Sequence, residues 1–259
     1  LRRQRQMCIR DRDKEIEYAK AHGIPVPVDI KKPYSIDQNL WGRSIESGPL
    51  DQPDYEPPEE AFEWITPLSK TPDEPGYIEV GFEGGVPKTL DGESIDPVTL
   101  IGEMNRLAGL HGVGVIDHIE DRLVGIKSRE VYECPAAVCL IEAHKDLEKM
   151  VLTRHELTFK TLVDREWAWL VYSGLWVDPL RLDLEAFIER TQSKVDGVVR
   201  LKLYKGGLRV VGRSSPNSIY DRGLATYGLG SIFNQRAAEG FIDLWGLPSR
   251  TAARLGLRL

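Results

Sequence analysis

A chain of 259 residues, 41% apolar and 29% charged, is long enough to bury a substantial core and has a globular composition, which excludes the collagen-like and disordered classes. The formal net charge of −6 argues against nucleic acid as a partner, because phosphate binding needs a concentrated basic surface, and no window approaches the roughly 18 apolar residues of a membrane span. Cys8, Cys134 and Cys139 form neither an even framework nor a C-x-x-C pair, so they read as reduced thiols of a cytoplasmic protein.

Residues 1–12, LRRQRQMCIRDR, carry five arginines against one aspartate and show neither periodicity nor the apolar stretch of a signal peptide. They are expected to be a non-native or disordered leader. From Asp13 an acidic start followed by Ile16, Ala19 and Lys20 predicts a short helix to Ala21, stopped by Gly23 and by the prolines of Ile24-Pro25-Val26-Pro27, where an extended segment begins. Between Gly48 and Gly76 the chain is rich in Pro, Asp and Glu, with a brief apolar run from Ala61 to Ile65. A long surface excursion or clamp is expected there.

Ile78, Val80 and Phe82 alternate with Tyr77, Glu79 and Gly81, and Val86–Leu90 follows Gly84-Gly85 and ends at Asp91-Gly92; this predicts a hairpin. Asp96 as N-cap, Pro97 at the first helical position and apolar residues at 100, 101, 104, 107 and 108 predict an amphipathic helix closed by Gly109 and Gly112. Val115–Ile126 reads as a strand-like run and Pro135–Met150 as a helix. Thr153 and Glu156 form a capping box ahead of a helix to about Leu175, and Asp178-Pro179 opens another that ends before Gly197.

Val198–Arg213 predicts a second hairpin around Gly206-Gly207, with Val199, Leu201 and Leu203 on one face. The tail from Arg236 combines Phe241, Ile242, Leu244 and Trp245 with a basic helical stretch, Arg250–Leu259, and suits docking on a partner subunit. Hairpins and helices come in blocks, so the class is α+β: a mainly antiparallel mixed sheet, flanking helices and a C-terminal oligomerisation tail over 236–259.

His22, His111, His118, His144 and His155 show no metal-ligand spacing, and no metal site is expected. Trp167, Trp169 and Trp176 sit at helical spacing and suit core or subunit contact. Lys127-Ser128-Arg129 fits a structural salt bridge at least as well as a substrate carboxylate. Cys134 and Cys139 with His144 nearby give weak support to an amidotransferase-like nucleophile.

Three patches exceed what core or turn needs: Pro33-Tyr34-Ser35-Ile36-Asp37-Gln38-Asn39-Leu40-Trp41-Gly42-Arg43-Ser44; His111 through Arg129 with Val131-Tyr132-Glu133-Cys134-Pro135; and Leu203-Tyr204-Lys205-Gly206, Val211-Gly212-Arg213 and Ser218-Ile219-Tyr220, with Gly240-Phe241-Ile242 further on. In order, spacing and wording they resemble the synthetase domain of argininosuccinate synthases, from about Asp13 to Pro248. The departures are Val115, where the family commonly has Arg, and Asp121, where it commonly has Asn.

The resemblance implies a ligase that condenses citrulline and aspartate with ATP, through a citrullyl-adenylate, to argininosuccinate, AMP and pyrophosphate in arginine biosynthesis. It implies a synthetase domain over 13–235 with citrulline contacts at Ser35, Ser44, Glu120 and Tyr132. Glu120 suits the α-ammonium and the hydroxyls supply adaptable hydrogen bonds, with Asp121 an acidic neighbour able to share the pairing. The catalytic acid–base groups are not indicated.

The family's S-G-G-x-D-[ST] phosphate loop does not occur in the sequence, and Gly84-Gly85 and Gly206-Gly207 read as hairpin turns. ATP, with Mg, is therefore expected to be held mainly by the family's N-terminal nucleotide-binding domain, and this chain alone is expected to be inactive. A homotetramer is implied by resemblance. The alternative is a stand-alone amino-acid-binding or assembly module with the same fold.

Overall fold

The computed structural model describes residues 12–25, 34–226, 228 and 232–256. Residues 1–11 of the leader expected over 1–12, the extended segment expected from Val26 on, and the last three residues of the basic tail lie outside the described residues, while Arg12 is helical. In chain order the elements are α1 (Arg12–Ala21), β1 (Ser35–Gln38), β2 (Arg43–Glu46), β3 (Gly76–Glu83), β4 (Val86–Leu90), β5 (Glu93–Ser94), α2 (Pro97–Leu110), β6 (Val115–Asp121), β7 (Lys127–Glu133) and α3 (Pro135–Val151). Then come α4 (Arg154–Tyr172), α5 (Pro179–Gln192), β8 (Gly197–Tyr204), β9 (Gly207–Ser214), α6 (Arg222–Ala225), α7 (Ala237–Trp245) and α8 (Leu247–Arg254). Two compact units divide the chain after Ser218.

The first unit is α+β, with its antiparallel strands divided between two sheets. The larger has the order β5-β4-β3-β8-β9, and its central pair joins distant segments, with Gly76 opposite Leu203 and Phe82 opposite Gly197. Alternation puts Ile78, Val80 and Phe82 of β3 beside Val199, Leu201 and Leu203 of β8, and α2 and α3 cover them with Leu100, Met104, Ala136, Cys139, Ala143 and Leu147. This is the main core.

The helix starts follow the capping chemistry. Asp96 accepts from the N–H groups of Val98 and Thr99, Asp178 accepts from Leu180, and Thr153 and Glu156 cap each other's backbone at 3.3 and 2.8 Å. Helix α4 stops at Tyr172, short of Leu175, because Gly174 takes φ 76° just past its end. The hairpin turns carry paired positive φ values, 55° and 77° at Gly84-Gly85 and 47° and 79° at Lys205-Gly206. Two-residue turns of this hand match the twist of the strands they join, so the second turn falls one residue before the Gly206-Gly207 pair.

The smaller sheet has the order β1-β2-β7-β6. The expected run Val115–Ile126 turns back at Gly125, φ 79°, after β6, and β7 pairs with it from Val115↔Glu133 to Asp121↔Lys127. A second, small core of Ile45, Leu50, Ala61 and Val131, with Tyr34 and Phe62 against it, lies on one face. The 48–76 stretch is thus more than a surface excursion, since short 3-10 turns at Gly48–Asp51 and Glu59–Ala61 lower Leu50 and Ala61 into that core.

An ion pair anchors this stretch. Arg43 Nη1 lies 2.6 Å from Glu133 Oε2 with both side chains buried, and Glu133 Oε1 accepts from the N–H groups of Glu63, Trp64 and Ile65 at 2.7–2.9 Å. One carboxylate therefore satisfies three backbone donors that a loop would otherwise expose.

The second unit, from Ile219, contains α6, α7 and α8. In it Phe241 stacks on Trp245 with ring centres 5.4 Å apart, and Phe241, Ile242, Leu244 and Trp245 are all more than half exposed.

Candidate functional site

Side chains alternate between the faces of a strand, so register decides which residues meet. In the smaller sheet Asp37 lies opposite Ser44, Ser44 opposite Tyr132, and Tyr132 opposite Ile116. Ser35 lies opposite Glu46, His118 opposite Glu130, and Glu120 opposite Ser128. Ile45 and Val131, on the other face, enter the small core. One face of this sheet accordingly joins that core to the ion pairs of Arg43 and Arg129, and the other is lined by hydroxyls, carboxyls, a phenol and an imidazole.

Ser35, Ser44, Tyr132 and Glu120 come one from each strand, β1, β2, β7 and β6, and share the polar face. Ser44 Oγ lies 3.2 Å from Glu46 Oε1, and Ser128 Oγ donates toward Glu120 Oε1 at 3.4 Å or Glu130 Oε1 at 3.3 Å. The Tyr132 ring meets the His118 ring edge-on at 5.6 Å. At the end of α4, Tyr172 donates its hydroxyl to the carbonyl of Asp121 at 3.2 Å.

The face is acidic at its centre. Burial, then the negative charge of Glu46 and a hydrogen bond with it, then Glu120, push the Glu130 carboxyl up to about 8, against a smaller opposing effect of Ser128. Burial chiefly, with Glu130, Glu120 and Glu46, raises the Tyr132 phenol well above its ordinary range. Tyr172 is raised in the same direction by burial and then Glu120. Tyr132 therefore remains a neutral hydroxyl that can donate and accept. A cavity of about 520 Å³ opens where Glu46, Ser128 and Glu130 meet Asp51, Arg122 and Lys127.

Asp121 does not join this group. One residue past Glu120, it falls on the opposite face and pairs with Lys127 at 2.6 Å. Arg129 pairs with Asp117 at 2.6 Å and donates to the carbonyls of Gln52 and Tyr55, so two of the three residues of Lys127-Ser128-Arg129 are structural and only Ser128 faces the site.

Glu46, Glu130 and His118 were missed by sequence reasoning, although Glu46 and Glu130 stand two residues from Ser44 and Tyr132 and so share their face. That period of two was the available signal. The thiols are poor nucleophiles: burial raises Cys134 and pushes Cys139 up to about 12, while His144 is engaged with Gln192 at 2.8 Å. Trp167 reaches Glu185 at 3.2 Å, and Trp169 and Trp176 are exposed.

Residues 34–252 match the family model described as the arginosuccinate synthase C-terminal domain. The chain is 56% identical over 240 residues to an argininosuccinate synthase of Rubrobacter xylanophilus, an alignment covering 93% of this chain and 59% of that protein. To the argininosuccinate synthase of Pyrococcus furiosus it is 58% identical over 238 residues, covering 92% and 57%. For that of Geobacillus kaustophilus the figures are 56% over 239 residues, 92% and 59%. The chain thus spans 57–59% of the length of these relatives.

Proposed function

The chain belongs to the argininosuccinate synthase family, and from that premise we propose that the polar face of its smaller sheet binds citrulline in a ligase that joins citrulline to aspartate with ATP. One observation carries the reading. Ser35, Ser44, Glu120 and Tyr132, chosen from scattered positions, lie on one face of four paired strands around an acidic centre.

Citrulline brings an α-ammonium, an α-carboxylate and a neutral ureido group. Glu120 pairs with the ammonium, and Ser35, Ser44 and the neutral Tyr132 hydroxyl hold the polar remainder by hydrogen bonds. These residues hold and orient, presenting the ureido oxygen to the α-phosphate of ATP; fixing that geometry replaces a bimolecular encounter by an almost unimolecular one.

ATP, with Mg, is held in this reading mainly by a nucleotide-binding domain, for which the longer relatives have room. The support is that the glycine pairs of this chain make strand-to-strand turns, whereas a phosphate loop needs a helix N-terminus behind it. Aspartate is the second amino-acid substrate, the tail from residue 236 joins subunits into a homotetramer, and the enzyme works in the cytoplasm. No described helix is long and apolar enough to cross a membrane.

Titration of citrulline into the chain, followed by calorimetry, tests the site. Losing a charge-assisted hydrogen bond costs about 1.5–3 kcal/mol, so Glu120→Gln is expected to weaken binding about tenfold or more. Undiminished affinity in that variant, or no binding by the wild-type chain, would count against the reading.

A further inference from the structure

Glu130 has no task in the citrulline contacts above, and its position is costly. It is only 5% exposed and stands on β7, between the strand that carries Glu46 and the strand that carries Glu120. Its Oε1 lies 3.3 Å from Ser128 Oγ, whereas Oε2 is buried and meets no N–H or O–H donor. Its acidic neighbours are Glu46 and Glu120, which with burial push its carboxyl up. A buried carboxyl with acidic neighbours and an oxygen that meets no donor is favoured by a proton on it or a cation beside it.

Resting on the citrulline reading, we propose that Glu130 is a third acidic group of the α-ammonium subsite: in the empty site it carries a proton donated to Glu46, and when the ammonium arrives it releases that proton to solvent and becomes an anion. The released proton balances the step, since the ammonium stays charged and no bond to carbon changes. Burial and two acidic neighbours hold the proton at neutral pH. A cation within the row offsets that repulsion and drives the proton off.

The groups facing Glu130 are Glu46 from β2, His118 and Glu120 from β6, Ser128 and Tyr132 on β7 itself, and Tyr172 from the end of α4. Asp51, Arg122, Lys127 and Arg129 also line the cavity. Lys127 and Arg129 are held by Asp121 and Asp117. His118 of β6, opposite Glu130, supplies the imidazole on this face.

The experiment is calorimetric titration of the 259-residue chain with citrulline at about pH 7 in phosphate and in Tris, whose heats of protonation differ. The expected result is release of close to one proton per citrulline bound, with the dissociation constant falling by up to about tenfold per pH unit between about pH 6 and 8. Glu130→Gln, a neutral isostere, is expected to bind with equal heats in both buffers and a flat pH profile.

Equal heats for the wild-type chain overturn the proposal, and that comparison decides it even if the variant does not fold. Release that persists in Glu130→Gln and vanishes in His118→Asn assigns the proton to the histidine and overturns it too. Absence of any citrulline binding by the wild type removes the site reading and this inference together, whereas binding without proton release removes this inference alone.

Discussion

Glu133 shows how much structure one side chain can organise. Its carboxylate joins Arg43 across the sheet and gathers three consecutive N–H groups of the 59–66 loop, which in turn carries Ala61 into the small core. Arg43 also pairs with the half-exposed Glu63, 3.1 Å from its Nη2, so losing Glu133 weakens its compensation without abolishing it, and the larger loss falls on the three amides. Glu133→Ala is expected to lose about 3 kcal/mol or more in a urea titration, since three amides lose their acceptor at about 1 kcal/mol or more each. The sheet bearing the candidate site is expected to loosen with it, seen as faster hydrogen exchange in β2 and β7. A loss below about 1 kcal/mol would mean that water replaces the carboxylate.

At the scale of elements, the capping box of α4 ties helix formation to pH. A hydrogen bond from Lys194 first, then the Thr153 backbone N–H, lower Glu156 from 4.5 to about 2. A depressed carboxyl stabilises the fold above its ordinary value and loses that contribution as pH falls from 4.5 to about 2. Thr153→Ala is expected to cost about 1 kcal/mol at neutral pH, and Glu156→Gln to flatten the acid limb of stability over that window; an unchanged limb would show that Glu156 is as free in the folded chain as in the unfolded one.

These boundaries were legible because a cap is a local event: Asp96, Thr153 and Asp178 begin their helices by bonding amides two or three residues ahead. The hairpins β3–β4 and β8–β9 were legible because one face of each central strand is wholly apolar. Strands β1, β2 and β7 were not. Their inner face depends on a loop that folds under Glu133, and their outer face is polar for binding, so no apolar alternation marks them. The family resemblance supplied the four candidate contacts, but Glu46 and Glu130 needed the register.

At the scale of the whole molecule, the tail of the second unit exposes Phe241, Ile242, Leu244 and Trp245 within two turns of α7. Such a patch is unusual for a surface that meets only water. With Phe241→Ser and Trp245→Ser together, the sedimentation coefficient is expected to fall to that of a smaller species; an unchanged value would detach the tail from subunit contact. The pairing of β3 with β8 has a different consequence, one of timing. During synthesis on the ribosome, Gly76–Glu83 is made long before Gly197–Tyr204, its neighbour across the centre of the larger sheet. Until then β3 waits with a row of unpaired amides and carbonyls along one edge and half of the main core uncovered, open to strands from neighbouring nascent chains. The time for which this molecule is vulnerable to misassembly is therefore set by the rate of translation through four intervening helices, and it closes only when the last hairpin emerges.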